Sequence, residues 1–553
     1  MTKKLLAALL ALMMLLSVSG AALAEDDLSE HMTVTMWLFP DDYTYYSSYS
    51  DNPVVQYLNE KFNMTMDFQV PPMGSEQDQF NLMIGTGEYT DIFEITYSQD
   101  STAVLYEDGV IRDLAPYVEQ YMPNFKAFLA DPANADVYNA LYDPDGHLFT
   151  IPAAVRVPDE VILWGGMVYR RDILDTMTGG YVSFPSGNDE PTTVEDWEYM
   201  LPLMKMYFEA AGFKDYAPLI LPPTGMFTTG EMENGFGAAG DFYVVNGEVK
   251  YSPVTKEFYN YLTKMHEWYE AGYIYKDFAS RTTDLFYLPN TALTYGGAAG
   301  VWFGLSSQLA SAMSMPEYGL FFDVRGIASP LDTANGQDGS QSGTLTLISD
   351  RANSNQSGWV ASTLCTDEKL IRFLTMADFL FTEEGGMLTQ YGLDKAHGSE
   401  ENELYKQLNI TDGAYYFDEE GKFHWHPLVD DTAEAPLQRI GLNGQRLPGL
   451  VLVEYVNASN ADFTLKANDQ WTRYGTGNNY PSSAYATADE SNTLTQNNTS
   501  YTDYMNVMVP KFISGTEPLT EETFQKYVER MMSLGVEENL RIRQEIYDRH
   551  TTR

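Results

Sequence analysis

The sequence predicts an α/β fold built on a largely parallel sheet with helices on its faces. Three apolar segments near the amino terminus are typical of buried strands, namely Met32–Phe39, Met64–Val70 and Asp91–Thr96. Two segments with helical spacing of apolar residues separate them, Val54–Phe62 and Gln77–Ile84. A β-α-β-α-β order with short connections favours parallel pairing, because a helix supplies the crossover that parallel strands need.

Longer elements with the same signals follow along the chain. Helices are predicted after an N-cap at Thr193, over Ser252–Gly272 and over Lys369–Phe381. The stretch Asp332–Ser357 is rich in Gly, Ser, Asn and Asp, which indicates a crossing between two lobes. The polar stretch Gln470–Ser500 is predicted to be an irregular surface segment.

Composition excludes several classes of partner and of site. The 553 residues include 78 acidic and 33 basic side chains, for a formal net charge of −45. Nucleic acids and anionic membranes need Lys and Arg to neutralise phosphate, so neither is an expected partner. The single cysteine, Cys365, excludes an internal disulfide and a thiolate metal cluster. Copies with this charge repel one another, which favours a monomer.

The first 24 residues have the pattern of an export signal. Lys3 and Lys4 precede the apolar run Leu5–Leu16, and Ala22–Ala24 has the small-x-small form of a cleavage site. The run is too short for a bilayer span, which takes about 20 residues. We therefore expect residues 1–24 to be removed and the mature protein to be extracytoplasmic. Ala21 stands where a lipobox would have cysteine, so no lipid anchor is expected.

Several short segments occur in an order typical of one family. The segments are Phe80–Ile92, Gly109–Tyr117, Asp145–Pro152, Val168–Leu174, Trp268–Ile274, Phe381–Gly385 and Ile542–Tyr547. With them, the chain resembles the extracellular solute-binding proteins of ABC importers, in the large sugar-binding, maltose-binding-protein-like group. The resemblance covers nearly all of the chain after the signal.

The resemblance implies a two-lobed α/β fold of the periplasmic-binding-protein type II, with a mainly parallel sheet flanked by helices in each lobe. Lobe one would comprise residues 25–156 and 343–395, and lobe two residues 157–342 and 396–553. The ligand would lie in a cleft between the lobes. The implied function is non-enzymatic capture of an oligosaccharide, without a cofactor, for delivery to the transmembrane subunits of an ABC permease.

Candidate ligand residues are aromatic and acidic side chains near the carboxyl ends of strands, where open α/β sheets bind ligands. Sugars present hydroxyl edges to carboxylates and C–H faces to aromatic rings. The candidates around the first strand are Trp37, Phe39, Asp41, Asp42 and Tyr43. After the third strand, the family resemblance implies Tyr97 and Asp100. Those suggested by the family resemblance or by nearby glycines are Trp164, Phe227, Tyr295, Trp302, Trp471 and Tyr474.

Each candidate has a structural alternative. The alternative for the loop with Asp41 and Asp42 is an acidic, tyrosine-rich surface loop, and its position after a strand favours the ligand cleft. Trp302 is expected to stack on a sugar, and the alternative is a core tryptophan beneath a strand. Trp164 either faces ligand or packs at a hinge. These alternatives stay open at the level of sequence.

The sequence leaves two alternatives to saccharide binding. A peptide or another polar solute is the alternative ligand, and a secreted carbohydrate-active enzyme is the alternative class. Glycosidases hold two carboxyl groups about 5–10 Å apart across the scissile bond, whereas Asp41 and Asp42 are neighbours on the chain. His424 and His426 share a strand face but lack a third ligand, so no metal site is predicted.

Overall fold

The computed structural model describes residues 28–39, 48–157, 163, 165–227, 230–238, 241–280, 291–294, 296–306, 309, 322–339, 358–430, 441–444, 446–459, 461–474, 479–481 and 484–552. The signal segment 1–24 and the loop residues Asp41, Asp42 and Tyr43 lie outside this range. Trp164 and Tyr295 do so as well.

Strands and helices are interspersed along the described residues. The strands are β1 Met32–Trp37, β2 Met64–Gln69, β3 Ile92–Glu94, β4 Val155–Val157, β5 Gly165–Arg170, β6 Ala217–Leu219, β7 Phe242–Val245, β8 Glu248–Tyr251, β9 Ala299–Leu305, β10 Val324–Gly326, β11 Trp359–Ala361, β12 Tyr415–Phe417, β13 Phe423–Trp425 and β14 Leu450–Leu452. The helices are α1 Pro53–Lys61, α2 Glu76–Thr86, α3 Thr102–Glu107, α4 Ala115–Tyr121, α5 Pro123–Ala130, α6 Ala135–Leu141, α7 Arg171–Thr178, α8 Val194–Ala210, α9 Lys256–Glu270, α10 Thr291–Thr294, α11 Asp367–Leu380, α12 Glu383–Tyr391, α13 Glu403–Leu408, α14 Pro427–Asp430, α15 Val453–Ser459, α16 Asp462–Trp471, α17 Ala488–Ile513, α18 Glu521–Met531 and α19 Glu537–Thr551.

The chain divides into two compact units. The first contains the described residues up to Val155 and those within Ser354–Tyr416 and Leu437–Leu452. The second contains those within Arg156–Asn353, Phe417–Pro436 and Val453–Arg553. The chain thus passes between the units several times. Residues 396–416, which the sequence prediction gave to the second lobe, pack with the first unit.

The first unit is built on a four-stranded sheet in the order β11-β3-β1-β2. β1 runs parallel to both β2 and β3, and β11 joins the edge antiparallel to β3. The predicted β-α-β-α-β order is therefore confirmed. Local signals explain its helices: the Asn52 side chain caps α1 by accepting from the Val54 and Val55 N–H groups, and Pro53 occupies its first turn.

The second unit contains a four-stranded sheet in the order β10-β5-β9-β6. β6 is parallel to β9, whereas β5 is antiparallel to both β9 and β10. The sheet is therefore mixed rather than mainly parallel. The sequence does not distinguish the two arrangements, because a strand buried on both faces is a continuous apolar run in either direction. All six residues of β5 are buried.

The predicted irregular segment Gln470–Ser500 is wrong over its carboxyl half. α17 begins at Ala488, where the Thr487 side chain accepts from the Glu490 N–H and the Glu490 carboxylate accepts from the Thr487 N–H. Its first turns are mostly polar and, apart from the buried Ala488, half-buried or exposed. Its later turns bury Tyr501, Met505 and Val509, whose four-residue spacing places them on one face.

Three predicted helices are present. The Thr193 side chain caps α8 by accepting from the Asp196 N–H, and the Asp196 carboxylate accepts from the Thr193 N–H. The predicted helices over Ser252–Gly272 and Lys369–Phe381 correspond to α9 and α11. No helix in the described ranges is long and apolar enough to cross a membrane.

Candidate functional site

The carboxyl edge of the first sheet contains a point where the strand order reverses. The chain leaves β1 to form β2 on one side and then returns across β1 to form β3 on the other. Right-handed crossovers in opposite directions place their helices on opposite faces, which opens a crevice beyond the carboxyl ends of β1 and β3. Residues that end or follow these two strands therefore form the candidate site of the first unit.

Three aromatic rings meet at this edge, and we call them the aromatic edge: Trp37, Phe39 and Tyr97. The ring centres of Phe39 and Tyr97 are 5.6 Å apart, and those of Trp37 and Tyr97 are 6.3 Å apart, both in edge-to-face contact. Trp37 is buried, whereas Phe39 and Tyr97 are half-buried. The Gln77 side chain donates to the Tyr97 carbonyl at 2.8 Å. The site thus presents partly accessible aromatic surface on a fixed backbone.

A positive side chain covers part of this surface. The guanidinium of Arg446 lies 4.1 Å from the centre of the Phe39 ring, which is a cation–π distance. The indole N–H of Trp359 donates to the Arg446 carbonyl at 3.0 Å. The backbone at Arg446 is therefore held by β11, next to the strand that ends in the candidate site.

Glu94, the last residue of β3, is a buried acid at the same edge that the sequence prediction missed. It is 4% exposed, and burial raises its pKa to about 6. Hydrogen bonds from the Thr96 hydroxyl and the Gly358 N–H, together with the charge of Arg446, oppose this rise. Among the described residues, its Oε2 atom has no hydrogen-bond partner. The available signal was an acid inside the apolar run Ile92–Ile95.

The structure brings together three of the predicted residues in the first unit, Trp37, Phe39 and Tyr97. Asp100 is exposed, and its backbone carbonyl accepts from the Ser98 hydroxyl at 2.8 Å. Nothing in the described residues joins its carboxylate to the aromatic edge.

Trp302 lies in the middle of β9 rather than in a loop after it. It is 4% exposed, sits opposite Val168 in the β5–β9 ladder, and belongs to a buried cluster with Phe322 and Trp471. The carboxyl end of β9 is Leu305, three residues farther along. Burial and strand position favour the alternative of a core tryptophan, and contact with ligand remains a prediction.

Trp471 and Phe227 are also buried in the second unit. The Trp471 indole N–H donates to the Met167 carbonyl at 2.7 Å. A Cβ atom added at Gly166 would lie 2.5 Å from the Trp471 ring, so this glycine allows the close approach. Phe227 is 6% exposed and stacks on Phe303 with ring centres 6.2 Å apart. Both side chains pack within the second unit, and their contact with ligand remains a prediction.

Tyr474 is half-buried and lies against the backbone of Gly339. It follows α16, beyond the last helical turn, and contacts a loop of the same unit. A role in ligand binding for Tyr474 remains a prediction.

A second buried acid, Glu233, holds the loop that contains Phe227. It is fully buried, and its carboxyl group accepts from the Phe227 N–H at 2.8 Å and from the Met232 N–H at 3.3 Å. Burial raises its pKa to about 8, so it is largely protonated at neutral pH. These hydrogen bonds hold the backbone of the loop in place, so Glu233 has a structural role.

The described residues contain no cluster of three or more His, Cys, Asp or Glu side chains placed to hold a metal ion. The Nε2 atom of His424 lies 2.9 Å from the Asp418 carboxylate. His424 is in β13, and Asp418 is in the turn that connects β12 to β13. His424 is therefore engaged by a neighbouring acid on its own hairpin.

No known protein-family profile matches the chain. One curated relative, lipoprotein LipO of Bacillus subtilis, is 23% identical over 362 residues, which cover 63% of this chain and 64% of that protein. The chain thus spans less than two thirds of the length of this relative.

Solved structures resemble nearly the whole chain. The alginate-binding protein AlgQ2 without calcium and an HMO-binding solute-binding protein of Bifidobacterium longum infantis each give a TM-score of 0.68 at 18% identity. FusA of Streptococcus pneumoniae, in complex with kestose, gives 0.67 at 16% identity. Each match covers 94% of this chain and 99% of the other chain. The chain has the fold of ABC-transporter solute-binding proteins.

Proposed function

We propose that this chain, which has the solute-binding-protein fold, is the substrate-binding component of an ABC importer and captures an oligosaccharide. The observation that carries the proposal is the pair of half-buried rings, Phe39 and Tyr97, at the reversal point of the first sheet. Partly exposed aromatic rings offer the flat apolar surface that the C–H faces of sugars contact. Proteins with the same fold are described as alginate-binding, as HMO-binding and as a complex with kestose.

The proposal includes export and a permease partner. Residues 1–24 would direct export, and the mature chain would act outside the cytoplasm as a monomer that delivers sugar to transmembrane permease subunits. LipO is a lipoprotein, whereas this chain has Ala21 where a lipobox would have cysteine. Intact-mass measurement of the exported protein tests this point, because an acyl adduct or a retained signal would contradict it.

A ligand screen tests the central claim. Neutral oligosaccharides, uronate oligosaccharides and short peptides are each added during thermal unfolding, since a ligand of the folded state raises the melting temperature by mass action. At 100 times Kd the stabilisation is about 2.7 kcal/mol. A rise with saccharides alone supports the proposal, and a rise with peptides alone contradicts it. Chromatography of the saccharide after incubation detects any hydrolysis, which would indicate an enzyme.

Substitution of Tyr97 then locates the site. Tyr97→Ala is expected to weaken binding of the best saccharide by about 1–3 kcal/mol, on the scale of stacking between aromatic side chains and flat ligands. Tyr138→Ala is the matched control, because Tyr138 is an exposed tyrosine of the same unit that stacks only on Tyr142 among the ring contacts described. Equal affinity of Tyr97→Ala and wild type would move the site away from the aromatic edge.

A further inference from the structure

A groove of about 390 Å³ opens beside Trp37, between the end of β2 and α2. We call it the Trp37 groove. Its walls include Trp37, Gln69, Pro71, Gln79, Leu82 and Thr86. Its volume lies within the range of about 300–1,000 Å³ that is typical of small-molecule sites. Nothing in the sequence prediction assigned a role to this region, apart from Trp37.

One face of α2 forms a wall of the Trp37 groove. Leu82, Met83 and Thr86 follow Gln79 by three, four and seven residues, so these four side chains lie on the same side of the helix. Gln79, Leu82 and Thr86 are exposed, and Leu82 exposes 56% of its surface. Val70, on the facing segment, is 36% exposed. The groove therefore places accessible apolar surface beside amide and hydroxyl groups.

The Trp37 groove and the aromatic edge share a wall. The Trp37 ring lines the groove and also contacts the Tyr97 ring edge-to-face. α2 contributes to both, because Gln79 lines the groove while Gln77 donates to the Tyr97 carbonyl. Both features lie at the carboxyl ends of strands in one compact unit. The groove and the exposed part of Tyr97 thus lie against the same buried ring, Trp37, close enough for successive units of one chain-like ligand to be proposed there.

The lining chemistry matches an uncharged sugar. Val70, Pro72 and Leu82 offer exposed surfaces for C–H groups, while Gln69 and Gln79 each offer an amide donor and acceptor for hydroxyls. Among the described residues that line the groove, Glu88 is the only charged side chain. A carboxylate or sulfate on the ligand would meet this negative charge with no cation on the groove wall to balance it.

We infer that the Trp37 groove is a subsite for one further neutral sugar unit of the oligosaccharide that binds at the aromatic edge. The inference rests on the proposed function and makes it more specific, since it ties affinity to the length and the neutrality of the ligand. Short saccharides occupy the aromatic edge, and an additional unit gains contacts with Gln69 and Gln79 in the groove.

The test measures affinity against ligand length. Malto-, fructo- and manno-oligosaccharides of two to six units are titrated by calorimetry into wild-type protein. In the series that binds, one added unit is expected to raise affinity about tenfold, the gain from one or two net hydrogen bonds. Gln79→Trp fills the groove, and Gln79→Ala removes the amide. Both variants are expected to reduce the gain in affinity per added sugar unit and to leave the affinity for the shortest binder unchanged. Gln525→Trp is the control, because Gln525 is an exposed helical glutamine of the other unit.

Each outcome decides between the claims. Saccharide binding with the same length dependence in wild type and in both Gln79 variants would overturn the subsite and leave the proposed function intact. Loss of affinity for every length alike would show that Gln79 acts on the aromatic edge, which also overturns it. A gain in affinity on adding a uronate unit, in place of a neutral one, would overturn the neutral specificity. Absence of binding by any saccharide would overturn the proposed function and the subsite together.

Discussion

The aromatic residues of the two units differ in their position relative to strand ends. In the first unit Phe39 and Tyr97 follow β1 and β3 and stay half-buried. In the second unit Trp302 sits inside β9 and Phe227 stacks on a β9 ring, and both are at most 6% exposed. A ring within a central strand is covered by the layer packed on the sheet, whereas a ring beyond the strand end is not. The presence of aromatic residues in a segment therefore does not by itself identify a ligand-binding surface.

The buried acids show a parallel difference. Glu94 ends a strand at the candidate site, and the Thr96 hydroxyl, the Gly358 N–H and the charge of Arg446 limit the rise of its pKa to about 6. Glu233 lies in the core of the second unit, where backbone N–H donors only partly compensate burial, and its pKa rises to about 8. The neighbour of Glu94, Arg446, is positive and opposes the rise of its pKa, whereas the negative charge of Glu231 adds to the rise at Glu233.

The largest expected loss of stability follows from replacing Trp302, one of the two buried rings in this comparison. Trp302→Ala is expected to lower the free energy of unfolding by about 3–5 kcal/mol, because it leaves a cavity in a close-packed cluster. Chemical denaturation of the purified variant measures this loss. Near wild-type stability combined with weakened saccharide binding would instead make Trp302 a ligand residue and remove the contrast between the units.

The next effect is the pH dependence caused by Glu233. The unfolded chain loses this proton near pH 4.5 and the folded chain near pH 8, so the folded state binds more protons between these values. The stabilisation from Glu233 is therefore complete below pH 4.5 and falls by about 4 kcal/mol as pH rises to 8. Denaturation at pH 5 and pH 8 should show a smaller difference in Glu233→Gln than in wild type. Equal differences would mean that Glu233 is ionised in the folded protein.

A smaller effect in a narrower window is expected for Glu94. Its folded pKa of about 6 is also above the unfolded value, so its stabilisation is lost between about pH 4.5 and 6. The loss amounts to about 2 kcal/mol. Glu94→Gln should therefore flatten the stability profile between pH 4.5 and 6 and leave the slope between pH 6 and 8 as in wild type. A change confined to the upper range would contradict the assignment.

The smallest effect on stability is expected for Phe39. Phe39→Ala removes a half-buried ring and its contact with Arg446, which is worth about 0.5–1 kcal/mol for an exposed cation–π pair. The expected loss of saccharide affinity is larger, about 1–3 kcal/mol on the stacking scale. Calorimetry and denaturation of the same preparation compare the two quantities. A stability loss as large as that of Trp302→Ala would place Phe39 in the core.

Sequence patterns predicted the first unit well because its signals are local. The strands and helices from Met32 to Glu94 follow from apolar periodicity. In the second unit, the N-cap at Thr193 is a local signal of the same kind and predicted the start of α8. The ends of β1 and β3 follow from the same patterns, and Phe39 was proposed as a ligand residue from its strand end, whereas Tyr97 was proposed with the help of the family resemblance. A family resemblance then extended the prediction to two lobes.

Tertiary structure decided what depends on contacts distant in the chain. Three features depend on segments more than a hundred residues apart. β5 pairs antiparallel with β9, the same pairing places Trp302 opposite Val168, and the Trp471 ring packs on Gly166. The helix α17 is stabilised by residues buried late in its length, although its first turns are polar. The sequence by itself thus determined which segments form helices and strands, since backbone hydrogen bonding and capping act over a few residues. Only packing determined which side chains stay accessible to a ligand, because burial depends on the neighbours that the whole chain brings to each surface.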